Sequence, residues 1–68
     1  MPNVILLQAG SRTIDVIKTV SQVAGLGLSE AKTLVERVPS TIKSGIGANE
    51  AERIKAKLLR VGAKVEIA

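Results

Sequence analysis

Carboxylates are the side chains of this sequence best suited to acid–base chemistry or metal binding. Both uses require two or more carboxylates close together in the fold. All six fall on predicted polar helix faces or near the ends of elements, away from the apolar surroundings that tune a catalytic acid. The sequence contains no histidine and no cysteine, so a Ser-His-Asp triad, a reactive thiolate and a Cys/His zinc site are excluded. We therefore expect a non-enzymatic protein without a metal or other cofactor. The six carboxylates are Asp15, Glu30, Glu36, Glu50, Glu52 and Glu66.

A pair of Gly-hydrophobic-Gly turns is the repeated motif, Gly25-Leu26-Gly27 and Gly45-Ile46-Gly47, each followed four residues later by alanine. Neither turn meets the dinucleotide or P-loop pattern, because each lacks the third glycine or the final Gly-Lys-Ser/Thr. The turns are similar to those of helix-hairpin-helix DNA-binding modules, whose backbone N–H groups contact a phosphate. Such tandem modules are entirely helical, whereas strands are predicted at both ends of this chain. DNA binding is therefore the alternative hypothesis, beside the simpler one that both turns are tight entries into helices.

The composition limits the class of partner. A net charge of +4 and a pI near 10.0 favour acidic partners, although many small domains carry such charge for solubility alone. The absence of Phe, Tyr and Trp counts against a base-stacking platform of the kind that single-strand nucleic-acid binders use. No apolar run approaches the roughly 18 residues of a membrane span and no signal peptide opens the chain, so we expect a cytoplasmic protein without membrane association. The length allows one domain, residues 1–68.

Hydrophobic periodicity and turn residues predict the elements that would position these side chains. Strands are predicted at residues 3–9, 40–44 and 63–67, and helices at residues 12–24, 28–38 and 48–61. Ser11 is the predicted N-cap of the first helix, Pro39 ends the second, and Gly62 ends the third. The order β-α-α-β-α-β predicts an α+β two-layer sandwich with three helices on one face of a three-stranded sheet.

The first helix carries more apolar surface than a core needs. Its three valines fall within about 60° at 100° per residue and are expected to face the core. Ile14 and Ile17 lie further round the helix, beside Lys18, and form an aliphatic patch suited to docking on a partner. The alternative is that a neighbouring helix covers this patch.

Two further faces can be assigned in the same way. In the first strand, Ile5 and Leu7 lie on the side opposite Val4 and Leu6, so we expect one of them to be partly exposed on an open sheet face. The chain could self-associate there. The simpler interpretation, which we favour, is that isolated exposed leucines are common. The second helix has one apolar face, which is predicted to hold Leu28, Ala31, Leu34, Val35 and Val38.

Seven segments carry a resemblance that spans residues 4–67 without gaps. They are VIL at 4–6, VIK at 16–18, GLGLSEAK at 25–32, LVE at 34–36, IKSG at 42–45, EAERIKAKL at 50–58 and GAKVEI at 62–67. Together they resemble the C-terminal domain of the bacterial ribosomal stalk protein L-seven/L-twelve, and GLGL-x-EAK-x-LVE is the most specific part. The resemblance implies the β-α-α-β-α-β order predicted above. The chain departs from the family pattern at Leu7, Asp15 and Ser21, and it is basic where the family is typically acidic.

The resemblance also implies a function and a set of site residues. In that family the domain recruits translational GTPases (elongation factors Tu and G, and initiation and release factors) through its first two helices and the glycine turn. The lysines would attract an acidic surface of the factor, and the isoleucines would supply the buried contact. Family members reach the ribosome through an N-terminal dimerisation domain and hinge, so ribosome binding would require a tether outside this sequence. The residues that match by position are Ile14, Ile17, Lys18, Gly27, Leu28, Glu30 and Lys32.

Overall fold

The computed structural model describes residues 2–68 and contains the six predicted elements in the predicted order. The strands are β1 (Val4–Gln8), β2 (Ser40–Lys43) and β3 (Lys64–Ile67), and the helices are α1 (Thr13–Ala24), α2 (Leu28–Glu36) and α3 (Ala48–Arg60). All three helices contribute side chains to one core against one face of the sheet. The predicted α+β two-layer fold is confirmed.

The sheet is antiparallel and has β1 in its middle, in the order β2-β1-β3. Leu6 is aligned with Val65 of β3 on the face that the helices cover. Ile5 is aligned with Glu66 on the opposite face, where no helix packs. On that open face Ile5 is half-buried and Leu7 is 38% exposed, which confirms the expected partial exposure. β2 and β3 are the edge strands.

The core between the sheet and the helices is wholly aliphatic. Two of the three α1 valines are fully buried and the third packs against the core, so the predicted core face of α1 is confirmed. Within residues 2–68 no polar or charged side chain is buried, so the core contains no side chain that needs a hydrogen-bond partner. Residues 2–68 form no helix with the length and apolar character that a membrane crossing requires. The largest fully buried side chains are Val4, Leu6, Val16, Val20 and Leu58.

The start of α1 differs from the prediction. The helix begins at Thr13, and the predicted Ser11 N-cap is wrong, because Arg12 occupies that position and no side chain caps the helix. The Arg12 guanidinium instead bridges to Asp15 in the first turn, with 3.0 Å between Nη2 and Oδ2. Its Nη1 also donates to the carbonyl oxygen of Arg60 at 3.5 Å. A guanidinium has no acceptor, so these contacts tie the start of α1 to the end of α3 without capping the N–H groups of its first turn.

The end of α2 also differs from the prediction. The helix ends at Glu36, two residues before the predicted end, while every other boundary agrees within one residue. The peptide bond between Val38 and Pro39 is cis. The carbonyl oxygen of Leu34 in the last turn accepts from the Arg37 N–H at 3.2 Å and from the Ser40 hydroxyl at 2.8 Å.

The two glycine turns have the same conformation. Gly25 and Gly45 have φ of 65° and 64°, whereas Gly27 and Gly47 are extended N-caps with φ of −68° and −70°. In each case the N–H of the alanine four residues later donates to the N-cap carbonyl oxygen, at 3.0 and 2.9 Å. The first turn follows α1, but the second follows strand β2, so the two do not form a tandem helical hairpin module. The structure therefore supports the interpretation of both turns as tight helix entries.

Candidate docking site

A tight corner joins α1 to α2 and sets the angle between them. Gly25 is the C-cap of α1 in the left-handed conformation, φ 65° and ψ 35°, where a glycine has no Cβ penalty. Its N–H and that of Leu26 donate to the Ser21 carbonyl oxygen, the latter at 3.1 Å. The Ser21 hydroxyl donates in return to the Leu26 carbonyl oxygen at 2.6 Å. Gly27 has an ordinary φ, so within this corner only Gly25 requires glycine for its conformation.

This corner places the exposed side of α1 beside the start of α2, and a groove of about 340 Å³ lies between the two helices. We call it the α1–α2 groove. Five of the seven residues predicted to bind a partner lie together in it. Its lining residues are Ile14, Ile17 and Lys18 from α1, and Leu28, Ser29 and Lys32 from α2.

The groove has an apolar floor that folding leaves open. Ile14 is 69% exposed and Leu28 is 59% exposed, whereas Ile17 is half-buried and packs against the core. Within residues 2–68, no neighbouring helix seals the aliphatic patch. Leu28 was predicted to share one apolar face of α2 with Ala31 and Val35, but those two are buried whereas Leu28 is open to the groove. Side chains tilt toward the N-terminus of a helix, so the first residue of α2 projects past the core toward the corner.

Two cations border the groove, one from each helix. Lys18 and Lys32 are both exposed, and neither forms an ion pair with a carboxylate within residues 2–68. Their charges are therefore available to a partner. An apolar floor between two unpaired ammonium groups fits a surface on which apolar side chains lie beside carboxylates.

Gly27 and Glu30, which were also predicted to bind the partner, lie outside the groove lining. A Cβ built at Gly27 would lie 3.9 Å from the Glu30 Oε1, an ordinary contact, so packing does not require glycine there. Glu30 lines another depression, of about 390 Å³, with Leu26, Thr33 and Leu34. It is two residues from Lys32 and so points about 200° away around α2. The docking role of Gly27 and Glu30 stays a prediction.

Two residues that depart from the family pattern have partners within the chain. The Asp15 carboxylate accepts hydrogen bonds from the Arg12 guanidinium, at 3.1 Å from Nε and 3.0 Å from Nη2. Its charge is therefore partly compensated. Ser21 holds the corner through its hydroxyl. Neither side chain lines the α1–α2 groove.

Sequence reasoning missed Ser29 in the groove and the exposure of Leu59, which is 50% exposed on α3. Leu59 directly follows the buried Leu58. Consecutive residues of a helix lie about 100° apart, so the sequence could have placed Leu59 away from the buried side of α3. Leu59 is not part of the groove lining. Self-association through the open sheet face, where Leu7 is exposed, stays a prediction.

Comparison with known proteins gives the family. The model of the family described as ribosomal protein L7/L12 C-terminal domain matches residues 2–68. The chain is 58% identical over 65 residues to large ribosomal subunit protein bL12 of Geobacillus kaustophilus, an alignment that covers 96% of this chain and 53% of that protein. It is 52% identical over 65 residues to the bL12 of Helicobacter hepaticus, covering 96% and 52%.

The chain spans about half the length of the curated relatives it matches. The observed element order is the one that the resemblance implied. The family match extends along nearly the whole sequence and includes both helices that form the groove. The chain belongs to the ribosomal protein L7/L12 C-terminal domain family.

Proposed function

We propose that this chain is a non-enzymatic protein-binding module of translation, which docks on translational GTPases through the α1–α2 groove. The GTPases meant are elongation factors Tu and G and the initiation and release factors. The observation that carries the proposal is the pair of open apolar side chains, Ile14 and Leu28, between two unpaired lysines. Membership of a ribosomal protein family supports the link to translation. The relatives are named large ribosomal subunit proteins, and association with that subunit is part of the proposal.

Docking would use the two kinds of side chain in succession. The lysines act first, because charges still attract a partner across about 8 Å at physiological ionic strength. They raise the rate of encounter with a carboxylate-rich surface and orient it over the groove. Ile14 and Leu28 act next, because they lose their remaining contact with water only when the partner is seated. Ile17, already half-buried, would support the floor of the groove.

Calorimetric titration of elongation factor G, loaded with a non-hydrolysable GTP analogue, tests the proposal. Lys18→Glu reverses one rim charge and should weaken binding about fivefold or more at low salt, mainly through slower association. Ile17→Ala should also weaken binding, because it lowers the floor of the groove. The matched control is Lys64→Glu, an equal change in net charge at an exposed position on β3. It should change Kd less than about twofold, because it lies outside the contact.

Two results would count against docking at the α1–α2 groove. If Lys18→Glu and Lys64→Glu weakened binding equally, net charge alone would govern the association. If Lys18→Glu and Ile17→Ala both left Kd unchanged, the assignment of these side chains to the contact would be wrong.

A further inference from the structure

The open face of the sheet carries apolar side chains that neither the core nor the proposed docking uses. The helices cover the other face, so within residues 2–68 no second layer packs over Ile5 and Leu7 of the central strand β1. A solvated face of an antiparallel sheet ordinarily carries polar side chains. Leu7 is also a departure from the family pattern, so a contact at this face would belong to this chain and not to the family as a whole.

Polar side chains on the two edge strands surround this apolar centre. Side chains alternate along a strand, and the buried Val65 of β3 faces the core. Its neighbours Lys64 and Glu66 therefore lie on the open face. On the other side of β1, the exposed Thr41 of β2 is aligned with Ile5. An apolar centre with a polar rim is the usual anatomy of a protein–protein interface.

The two charges of β3 on this face are free to meet a partner. Lys64 and Glu66 are both exposed, and within residues 2–68 neither takes part in an ion pair. They are two residues apart, which places them about 7 Å from each other along the strand. A single exposed leucine is common and needs no partner. An apolar centre beside one free cation and one free anion is a more specific arrangement.

The pairing of β1 with β3 sets the apolar and charged side chains level with each other. Ile5 is aligned with Glu66. One step further along the sheet, a bulge in β1 places Leu7 and Gln8 together opposite Lys64. The open face therefore has two levels, with an isoleucine beside a carboxylate at one and a leucine beside an ammonium group at the other.

We propose that the open sheet face binds a second copy of this chain in a two-fold symmetric dimer. A two-fold axis between the two sheets, perpendicular to the strands and midway between the two levels, exchanges the levels of the two copies. Ile5 then lies over Leu7 of the partner subunit, and Glu66 lies over Lys64 of the partner subunit. Packed sheets are about 10 Å apart, a distance that a lysine and a glutamate side chain together can span. Each contact occurs twice, so the assembly closes as a dimer.

The placement of charge favours a second copy over an unrelated protein. A uniformly acidic or uniformly basic surface would attract one of the two charges and repel the other, because Lys64 and Glu66 are so close together. A suitable partner must carry both signs at the same spacing beside apolar side chains, and this face itself meets that requirement. The dimer is independent of docking on a GTPase, because the α1–α2 groove is formed by the helical layer.

The size of the face sets the strength of the contact. Three strands about 4.8 Å apart, the longest of five residues, give a footprint of about 14 Å by 17 Å. That is smaller than a standard protein–protein interface and belongs to the weak, transient class. We therefore expect a dimer with a Kd of about 0.1–1 mM.

Sedimentation equilibrium between about 0.02 and 2 mM measures the association, with interference optics because the chain has no aromatic residue. Lys64→Glu and Glu66→Lys should each weaken dimerisation at least about fivefold, because each places like charges opposite each other. Lys64→Glu also lowers the net positive charge, so general repulsion between copies predicts the opposite effect. The double variant Lys64→Glu/Glu66→Lys exchanges the two charges and should restore Kd to within about twofold. Lys57→Glu, at an exposed position on α3, is the control for net charge and should not weaken dimerisation.

The apolar centre is tested in the same way. Leu7→Ser removes an apolar side chain from the interface twice in each dimer and should weaken dimerisation at least about fivefold. Leu59→Ser is the matched control, because Leu59 is 50% exposed on α3, and it should leave Kd within about twofold. The substituted side chains are all exposed, so every variant should melt like the unmodified chain, which thermal unfolding checks.

Three outcomes would overturn the proposal. The first is a chain that stays monomeric at the highest concentration. The second is a double variant that associates no better than the two single charge variants. The third is loss of dimerisation in Leu59→Ser but not in Leu7→Ser, which would assign the contact to α3. Calorimetry with elongation factor G separates the two surfaces, since Lys64→Glu should lose dimerisation and keep factor binding.

Discussion

Leu28 offers a substitution in which folding and docking should separate. Its side chain is 59% exposed, so folding has used less than half of its surface. Full burial of a leucine stabilises by about 1.5–3 kcal/mol relative to exposure, which leaves about 1–2 kcal/mol for a partner to gain. Leu28→Ser should therefore weaken binding to elongation factor G by about 5- to 30-fold. The same change should lower the free energy of unfolding by about 1 kcal/mol or less.

Leu59→Ser is the matched control, because Leu59 is 50% exposed and lies outside the α1–α2 groove. Calorimetry measures the affinity of both variants, and urea unfolding measures their stability. Far-UV circular dichroism is the suitable probe, since the chain has no aromatic residue for fluorescence. Leu59→Ser should leave the affinity within about twofold of the unmodified chain. Equal losses of affinity in the two variants, or none in Leu28→Ser, would refute the reasoning.

Three further predictions concern the fold. Gly10 and Gly45 have φ of 77° and 64°, and a Cβ at Gly10 would also overlap the Gly62 carbonyl oxygen. Gly10→Ala should therefore lower the free energy of unfolding in urea by at least about 1 kcal/mol more than Gly45→Ala, and equal losses would contradict this close approach. Gly27→Ser places a better N-cap at an extended position and should raise Tm by about 1–3 °C, whereas a lower Tm would show that glycine is needed there. Leu58→Ala removes a fully buried side chain and should lower the free energy of unfolding by about 2–5 kcal/mol. That is a large part of the total stability of roughly 3–10 kcal/mol expected for a chain of this length. An unchanged Tm would contradict the burial of Leu58.

Element order and core residues could be predicted because the hydrophobic pattern is strongly periodic. Ala51, Ile54 and Leu58 follow one another at spacings of three and four residues, the pattern of a buried helix stripe, and all three are buried. Gly62 has φ of 84°, which agrees with its predicted place just past the end of α3. Val61 is only half-buried, because it lies at the C-cap, where the helix leaves the core. Local pattern and tertiary packing agree at these positions.

The features that could not be predicted depend on contacts between distant parts of the chain. The contact from Arg12 to the end of α3 joins residues 48 positions apart, so no local signal contains it. The exposure of Leu28 follows from its place as the first residue of α2, because its side chain projects past the core toward the corner. The corner brings Lys18 and Lys32 to one groove, whereas the helical repeat places Glu30 on another side of α2. The spacing of residues along one helix predicts which of them share a face. It does not predict which face of the next helix packs beside that face.

Methyl-resolved NMR of the isotope-labelled chain, titrated with elongation factor G bound to a GTP analogue, tests the docking surface most directly. The methyl signals of Ile14, Ile17 and Leu28 should shift or broaden first, while those of Leu7 and Leu59 stay unchanged. That result would locate the contact on the surface that the corner between α1 and α2 creates. Perturbations centred on Leu59 or on the open sheet face, with Ile14 and Leu28 unaffected, would contradict the account.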